Sequence, residues 1–122
     1  MADTENSPVE LIESYLELLE DEEFERAAAL FTDDVTYIHP PTFTDIPKIE
    51  GRENIRRYFV EDRGLRDVTH KTTATVVEGN RGVLLGRSAG SDIEGGGHHY
   101  IAYARIADGR IAYYNVGILA DR

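Results

Sequence analysis

The sequence predicts an α+β domain, with helices packed on one side of a later, mostly antiparallel sheet. Three observations predict it. Apolar residues recur at helical spacing through residues 12–31 and again within 51–63. From residue 68 that period gives way to Thr- and Val-rich runs separated by Gly-containing turns. Between the last two of these runs stands Asp108-Gly109, a strong hairpin signal.

Taken in order, Ser7-Pro8-Val9-Glu10 reads as a helix start, with Ser7 as N-cap, Pro8 in the first turn and Glu10 three residues after the cap. Ile12, Tyr15, Leu16 and Leu19 form the apolar stripe of that helix. Asp21 is expected to cap a second helix with the stripe Phe24, Ala27, Ala28 and Phe31, and Asp33-Asp34 to mark the turn out of it. Val35, Tyr37 and His39 alternate with Thr36 and Ile38, as in a short strand ended by Pro40 and Pro41. Residues 43–49, with Pro47, read as loop. A third helix is expected from about Gly51 to Arg63, with Ile55, Tyr58 and Phe59 on one face and Gly64 as its stop. About four strands then follow: residues 68–78, 83–91, 98–107 and 110–119, the link Gly95-Gly96-Gly97 preceding the third. The chain reads as one domain over residues 1–122, the first seven flexible, with no internal repeat.

Composition narrows the function classes. There is no cysteine, which removes disulfides, thiolate nucleophiles and Cys-ligated zinc. The net charge is −10, and ten of the 23 acids precede Arg26, the first basic residue. Nucleic acid is therefore an unfavoured partner, because its binding relies on cations that neutralise phosphates. Only two lysines stand against eleven arginines, an acidic balance that suits a salt-rich cytoplasm or simply an ordinary acidic protein. No apolar run approaches the roughly 20 residues that span a bilayer, and the acidic start is unlike a targeting peptide. The expectation is a cytoplasmic protein with no membrane partner.

The order helix, helix, strand, helix, long antiparallel strands resembles the NTF2-like superfamily, in particular its SnoaL-like and ketosteroid-isomerase-like branches. The residues that carry the resemblance are 24–35 (FERAAALFTDDV), His39-Pro40, 51–59 (GRENIRRYF) and Asp108-Gly109-Arg110-Ile111. The resemblance covers nearly the whole chain. It implies a cone-shaped barrel with a pocket between sheet and helices, and a homodimer formed through the outer sheet face. Tyr15 falls where the isomerases place the tyrosine that donates to a substrate oxyanion, and His39 where they place an aspartate base, just before the matching proline. Ketosteroid isomerases combine an Asp base with an oxyanion hole of Tyr and protonated Asp. This chain matches that set only in part: the base position holds His, and the position of the protonated acid falls near Ala102. The last strand also lacks the Asp or Glu that many relatives use there.

Candidate site residues follow. His39 leads, since imidazole titrates nearest neutrality and can give and take protons without extreme tuning; its structural alternative is closing the cavity mouth. Tyr15 can donate to a substrate oxygen or simply pack. Tyr37, Tyr58, Tyr100 and Tyr114 are expected to shape the cavity. His70, counted on one face with Val68, Thr72 and Ala74, and His98, counted inward with Tyr100, Ala102 and Ala104, are candidates for a second acid or for tuning His39. His99 and Tyr103 should face outward, and Arg87 is expected to make an outward salt bridge more readily than to face the cavity. No histidine pair has metal-ligand spacing, and phosphate-loop and dinucleotide fingerprints are absent, so neither metal nor cofactor is expected.

These residues point to cofactor-independent proton transfer (isomerisation, cyclisation or dehydration) on a small, largely apolar, oxygen-bearing molecule. A non-catalytic small-molecule-binding or dimerisation module is the alternative, favoured by the incomplete acid set. Epoxide hydration would need an Asp–Arg–Asp-type set that has no evident place in the chain.

Overall fold

Ser7 starts the first helix as its sequence predicts. Its hydroxyl accepts from the Glu10 backbone N–H at 3.2 Å, while the Ser7 backbone N–H donates to the Glu10 carboxylate at 3.0 Å. This reciprocal cap satisfies two of the donors a helix start leaves open. The computed structural model describes residues 7–39, 48–63, 68–90 and 97–119. Among them α1 is Pro8–Glu20, α2 Phe24–Ala28, and β1 Phe31–Ile38. Then come β2 (Lys48–Glu50), α3 (Arg52–Arg57) with a π-helical continuation over Tyr58–Arg63, β3 (Thr69–Glu78), β4 (Arg81–Ala89), β5 (Gly97–Ala107) and β6 (Arg110–Leu119).

The six strands form one open, curved sheet in the order β2-β1-β6-β5-β4-β3. All neighbours run antiparallel except β1 and β6, which are parallel. The meander from β3 to β6 is the one expected from sequence. Asp108 and Gly109 make its last turn with φ of 53° and 75°, the positive pair that a tight hairpin needs and that Asp-Gly tolerates. Irregular register at Phe31/Thr36, Thr72/Ala74 and Arg105/Ile106 adds the local kinks by which a sheet bends. α1 packs across β3, β4, β5 and β6, and α3 against β1 and β2, so the helices cover one face.

Several expectations need correction. Asp21 ends α1 and does not cap α2; Glu23 precedes α2 and makes no side-chain cap. Phe31 is already the first residue of β1, because its ring is wholly buried against the sheet side of the core. Asp33-Asp34 is no turn: both acids lie exposed within β1, where the register with β6 shifts. Lys48 to Glu50, expected partly as loop, pair with β1 as an edge strand. The third helix spans the expected range but widens after Arg57 into π-helical geometry. Pro40, Pro41, Pro47, Gly64, Gly95 and Gly96 lie outside the described residues, as do residues 1–6 of the expected flexible start.

The surface charges are local. Arg56 of α3 reaches both Glu53 and Glu25, tying α3 to α2, and Arg52 pairs with Asp33 of β1. Solvent screens exposed pairs of this kind, so they contribute little to stability. No helix among the described residues is long and apolar enough to cross a membrane.

Candidate functional site

The strand alternation read from sequence turns Val35, Tyr37 and His39 to the helix-covered face. All three are buried, while Thr36 and Ile38 are only half-buried. The α1 stripe meets them from above, with Tyr15 at 2% exposure. The two ends join through a short bond: the Tyr15 and Tyr37 hydroxyl oxygens lie 2.5 Å apart, one phenol donating to the other.

Rings fill the space around that bond. Tyr15 meets Phe31 edge-on at 5.2 Å and Tyr114 at 5.3 Å, with Phe59 at 5.8 Å on another side. Tyr37 stacks on Tyr114 at 5.2 Å, a register neighbour across the parallel β1–β6 pair. His39 lies 5.3 Å from the Tyr37 ring and 5.3 Å from the Tyr58 ring. Such offset and edge-to-face contacts add to area burial through the ring quadrupoles. Tyr15, Tyr37, His39, Tyr58 and Tyr114 are therefore brought together. The Tyr114 hydroxyl is held well above the ordinary phenol range, chiefly by burial and then by the Tyr37 and Tyr100 hydroxyls.

A second polar group forms where α1 meets β3. One Glu20 oxygen accepts from the His70 backbone N–H at 2.7 Å and lies 2.9 Å from His70 Nδ1. Nearer the start of α1, Glu13 accepts from the Thr72 hydroxyl at 2.6 Å. The His70 ring stands edge-on to Tyr100 at 5.8 Å. Tyr100 itself is buried, and its hydroxyl is pushed up to about 12 by burial first, then by Glu20 and Glu13. Gly86, its register partner on β4, makes the room: a Cβ there would collide with the Tyr100 hydroxyl oxygen.

His70 thus belongs to this second group and not to the rings around His39. Counting by twos along its strand fails in one respect. Thr72 pairs with Gly86, but Ala74 pairs with Leu85, so the bulge between them carries Ala74 to the other face. His98 is half-buried on the Tyr100 face of β5, opposite Ser88, whose hydroxyl donates to the His98 carbonyl at 3.4 Å. Ala102 and Ala104 are fully buried on that same face. Arg87 is exposed on the outer face, 3.3 Å from His99 Nε2, so among the described residues the partner shown for it is an imidazole.

Sequence reasoning missed Glu20 and Glu13, because their partners lie 50 and 59 positions away. It also read Phe31 as a helix residue when it is a wall of the Tyr15 cluster. The one available signal for the glutamates was their placement beside the apolar stripe of α1. Among the described residues no three His, Asp or Glu side chains gather as metal ligands would.

The chemistry open to this arrangement is proton exchange and hydrogen bonding among phenols and an imidazole in a dry setting, where such interactions are stronger than in water. Solved structures share the fold. A candidate ketosteroid isomerase from Kribbella flavida is 19% identical at TM-score 0.71, covering 92% of this chain and 77% of that one. A candidate polyketide cyclase from Sinorhizobium meliloti is 16% identical at TM-score 0.72, covering 88% and 93%. An LEH-like epoxide hydrolase from M. tuberculosis is 19% identical at TM-score 0.70, covering 90% and 80%. At these identities the likeness is one of fold. No curated protein matches the chain. The family model of the SnoaL-like domain matches residues 12–114, from Ile12 within α1 to Tyr114 within β6, and the chain belongs to that family.

Proposed function

We propose that this SnoaL-like protein binds a small, largely apolar, oxygen-bearing molecule in a pocket beside the Tyr15–Tyr37 pair and moves a proton on it without a cofactor. His39 is the general acid–base, and Tyr15, polarised by Tyr37, donates to the oxygen that gains negative charge. The observation that carries the reading is the contact chain from Tyr15 through Tyr37 to His39, which links the two candidate groups through one shared ring. The solved relatives described as an isomerase, a cyclase and an epoxide hydrolase support a chemical role for the fold, and their differences leave the reaction type open within that class.

Replacing His39 with Gln tests it: turnover of an accepted substrate should vanish while affinity changes only a few-fold. Undiminished turnover would remove His39 from the mechanism. One observation favours the non-catalytic binding module as second reading, namely that Ala102 presents only a methyl group at the position where a third polar group would complete the set. A wild-type protein that binds ligands of this class but turns none over would decide for it.

The outer sheet face is, on the same reading, the interface of a homodimer. Its support is the half-buried Tyr103–Tyr113 ring pair at 5.9 Å on β5 and β6, with exposed Leu119 on the same side. Sedimentation as a monomer at tens of micromolar would remove that part.

A further inference from the structure

Tyr100 is 4% exposed, and its hydroxyl has no hydrogen-bond partner among the described residues. Leaving a buried hydroxyl unsatisfied is costly, and phenylalanine would fill nearly the same volume without that cost. The surroundings do not relieve it. The nearest acids are already engaged, Glu20 by His70 and Glu13 by Thr72. Gly86, directly opposite in register, leaves open the space that the hydroxyl occupies, and the Lys71 carbonyl closes it from β3. Two positions on neighbouring strands thus serve to hold one polar atom on the helix-covered face, with only the methyl groups of Ala102 and Ala104 following it along β5.

We propose that the Tyr100 hydroxyl is a second donor to the ligand, so that the molecule bound carries a neutral oxygen besides the one held at Tyr15. The inference rests on the pocket reading above and adds the ligand class to it. The charge around Tyr100 decides which oxygen it takes. Burial first, and then Glu20 and Glu13, keep the phenol protonated and therefore a donor. The same carboxylates oppose a second negative charge, so a ketone, ether or hydroxyl oxygen fits where a carboxylate does not. Burial by the helices also makes a ligand anion there expensive.

Three probes separate the possibilities: 2-naphthol with one oxygen, 2,6-dihydroxynaphthalene with two neutral ones, and 6-hydroxy-2-naphthoate with an anionic second group. Binding to the full chain is followed by probe fluorescence. The expected result is that the diol binds wild type more tightly than either other probe. Tyr100→Phe should weaken the diol roughly tenfold while leaving 2-naphthol unchanged, the loss of one neutral hydrogen bond. Its melting temperature should equal or exceed that of wild type, since the unsatisfied hydroxyl is gone. Gly86→Ala, which displaces the hydroxyl without deleting it, should give the same diol-selective loss. Equal diol affinity in wild type and Tyr100→Phe would overturn the second donor, even with 2-naphthol bound normally. Tighter binding of the naphthoate than of the diol would overturn the neutral-oxygen assignment. Failure of wild type to bind 2-naphthol, or binding indifferent to Tyr15→Phe, would bring down the pocket reading and this inference with it.

Discussion

The Tyr15 and Tyr37 hydroxyls meet at 2.5 Å in the buried interior, joining α1 to β1 across 22 positions of sequence. Each phenol is the other's close polar neighbour there, so their energies are coupled. Either single exchange to Phe should cost about 1–3 kcal/mol, because it leaves a buried hydroxyl without this bond. The double exchange should cost less than the sum of the two, by about 1 kcal/mol or more. Urea unfolding of the four proteins closes the cycle, and strictly additive losses would show that the bond contributes nothing.

Alkaline pH should destabilise the fold through Tyr100 and Tyr114. Both phenols are raised in the folded protein, Tyr100 to about 12 and Tyr114 in the same direction. An unfolded tyrosine ionises near its ordinary value of about 10. Between those values the unfolded chain has released protons that the folded chain still holds, so stability falls as pH rises. Below about pH 10 the contribution is fully present. Phenolate absorbance should show at least two of the seven tyrosines titrating late or only on unfolding. Chemical unfolding from about pH 9 to about pH 12 should show a downward slope that Tyr100→Phe makes shallower. A flat profile would contradict both shifts.

Adding a methyl group at two glycines should have unequal consequences. A Cβ at Gly86 would collide with the Tyr100 hydroxyl oxygen, and it would stand 2.5 Å from the adjoining ring carbon and 2.9 Å from the Lys71 carbonyl oxygen. The last contact is with backbone, which cannot simply swing aside. Gly86→Ala should therefore cost about 1–3 kcal/mol through overpacking. Among the described residues Gly117→Ala meets only an Ile101 methyl at 3.8 Å, ordinary contact, and should change stability little. Parallel thermal melts make the comparison, and equal behaviour of the two variants would refute the packing account.

Local chemistry wrote much of this fold into the chain. The Ser7–Glu10 cap, the alternation of Tyr37 and His39 and the Asp108-Gly109 turn all depend on residues within a few positions of one another, and all appear as read. What escaped depends on distant partners. Phe31 continues a helical stripe on paper, yet its burial under Tyr15 and beside Tyr114 places it in β1. β2 is too short to show a period and exists through its pairing with β1. The bulge after Thr72 reverses the face of Ala74, which no two-residue count can foresee. The candidate site divided in the same way: the meeting of Tyr15, Tyr37 and His39 was legible from helix and strand phase, whereas the tethering of His70 by Glu20 needed the packing of α1 on β3.

The parallel pairing of β1 with β6 sets a schedule for the site's completion. Tyr37 stacks on Tyr114, 77 positions later in the chain. In a nascent chain that ends before β6, the Tyr114 ring on which Tyr37 stacks has not yet been made. The first third of this chain is thus completed by the last of the described strands, and a lesion in β6 would reach the Tyr37 ring without touching β1.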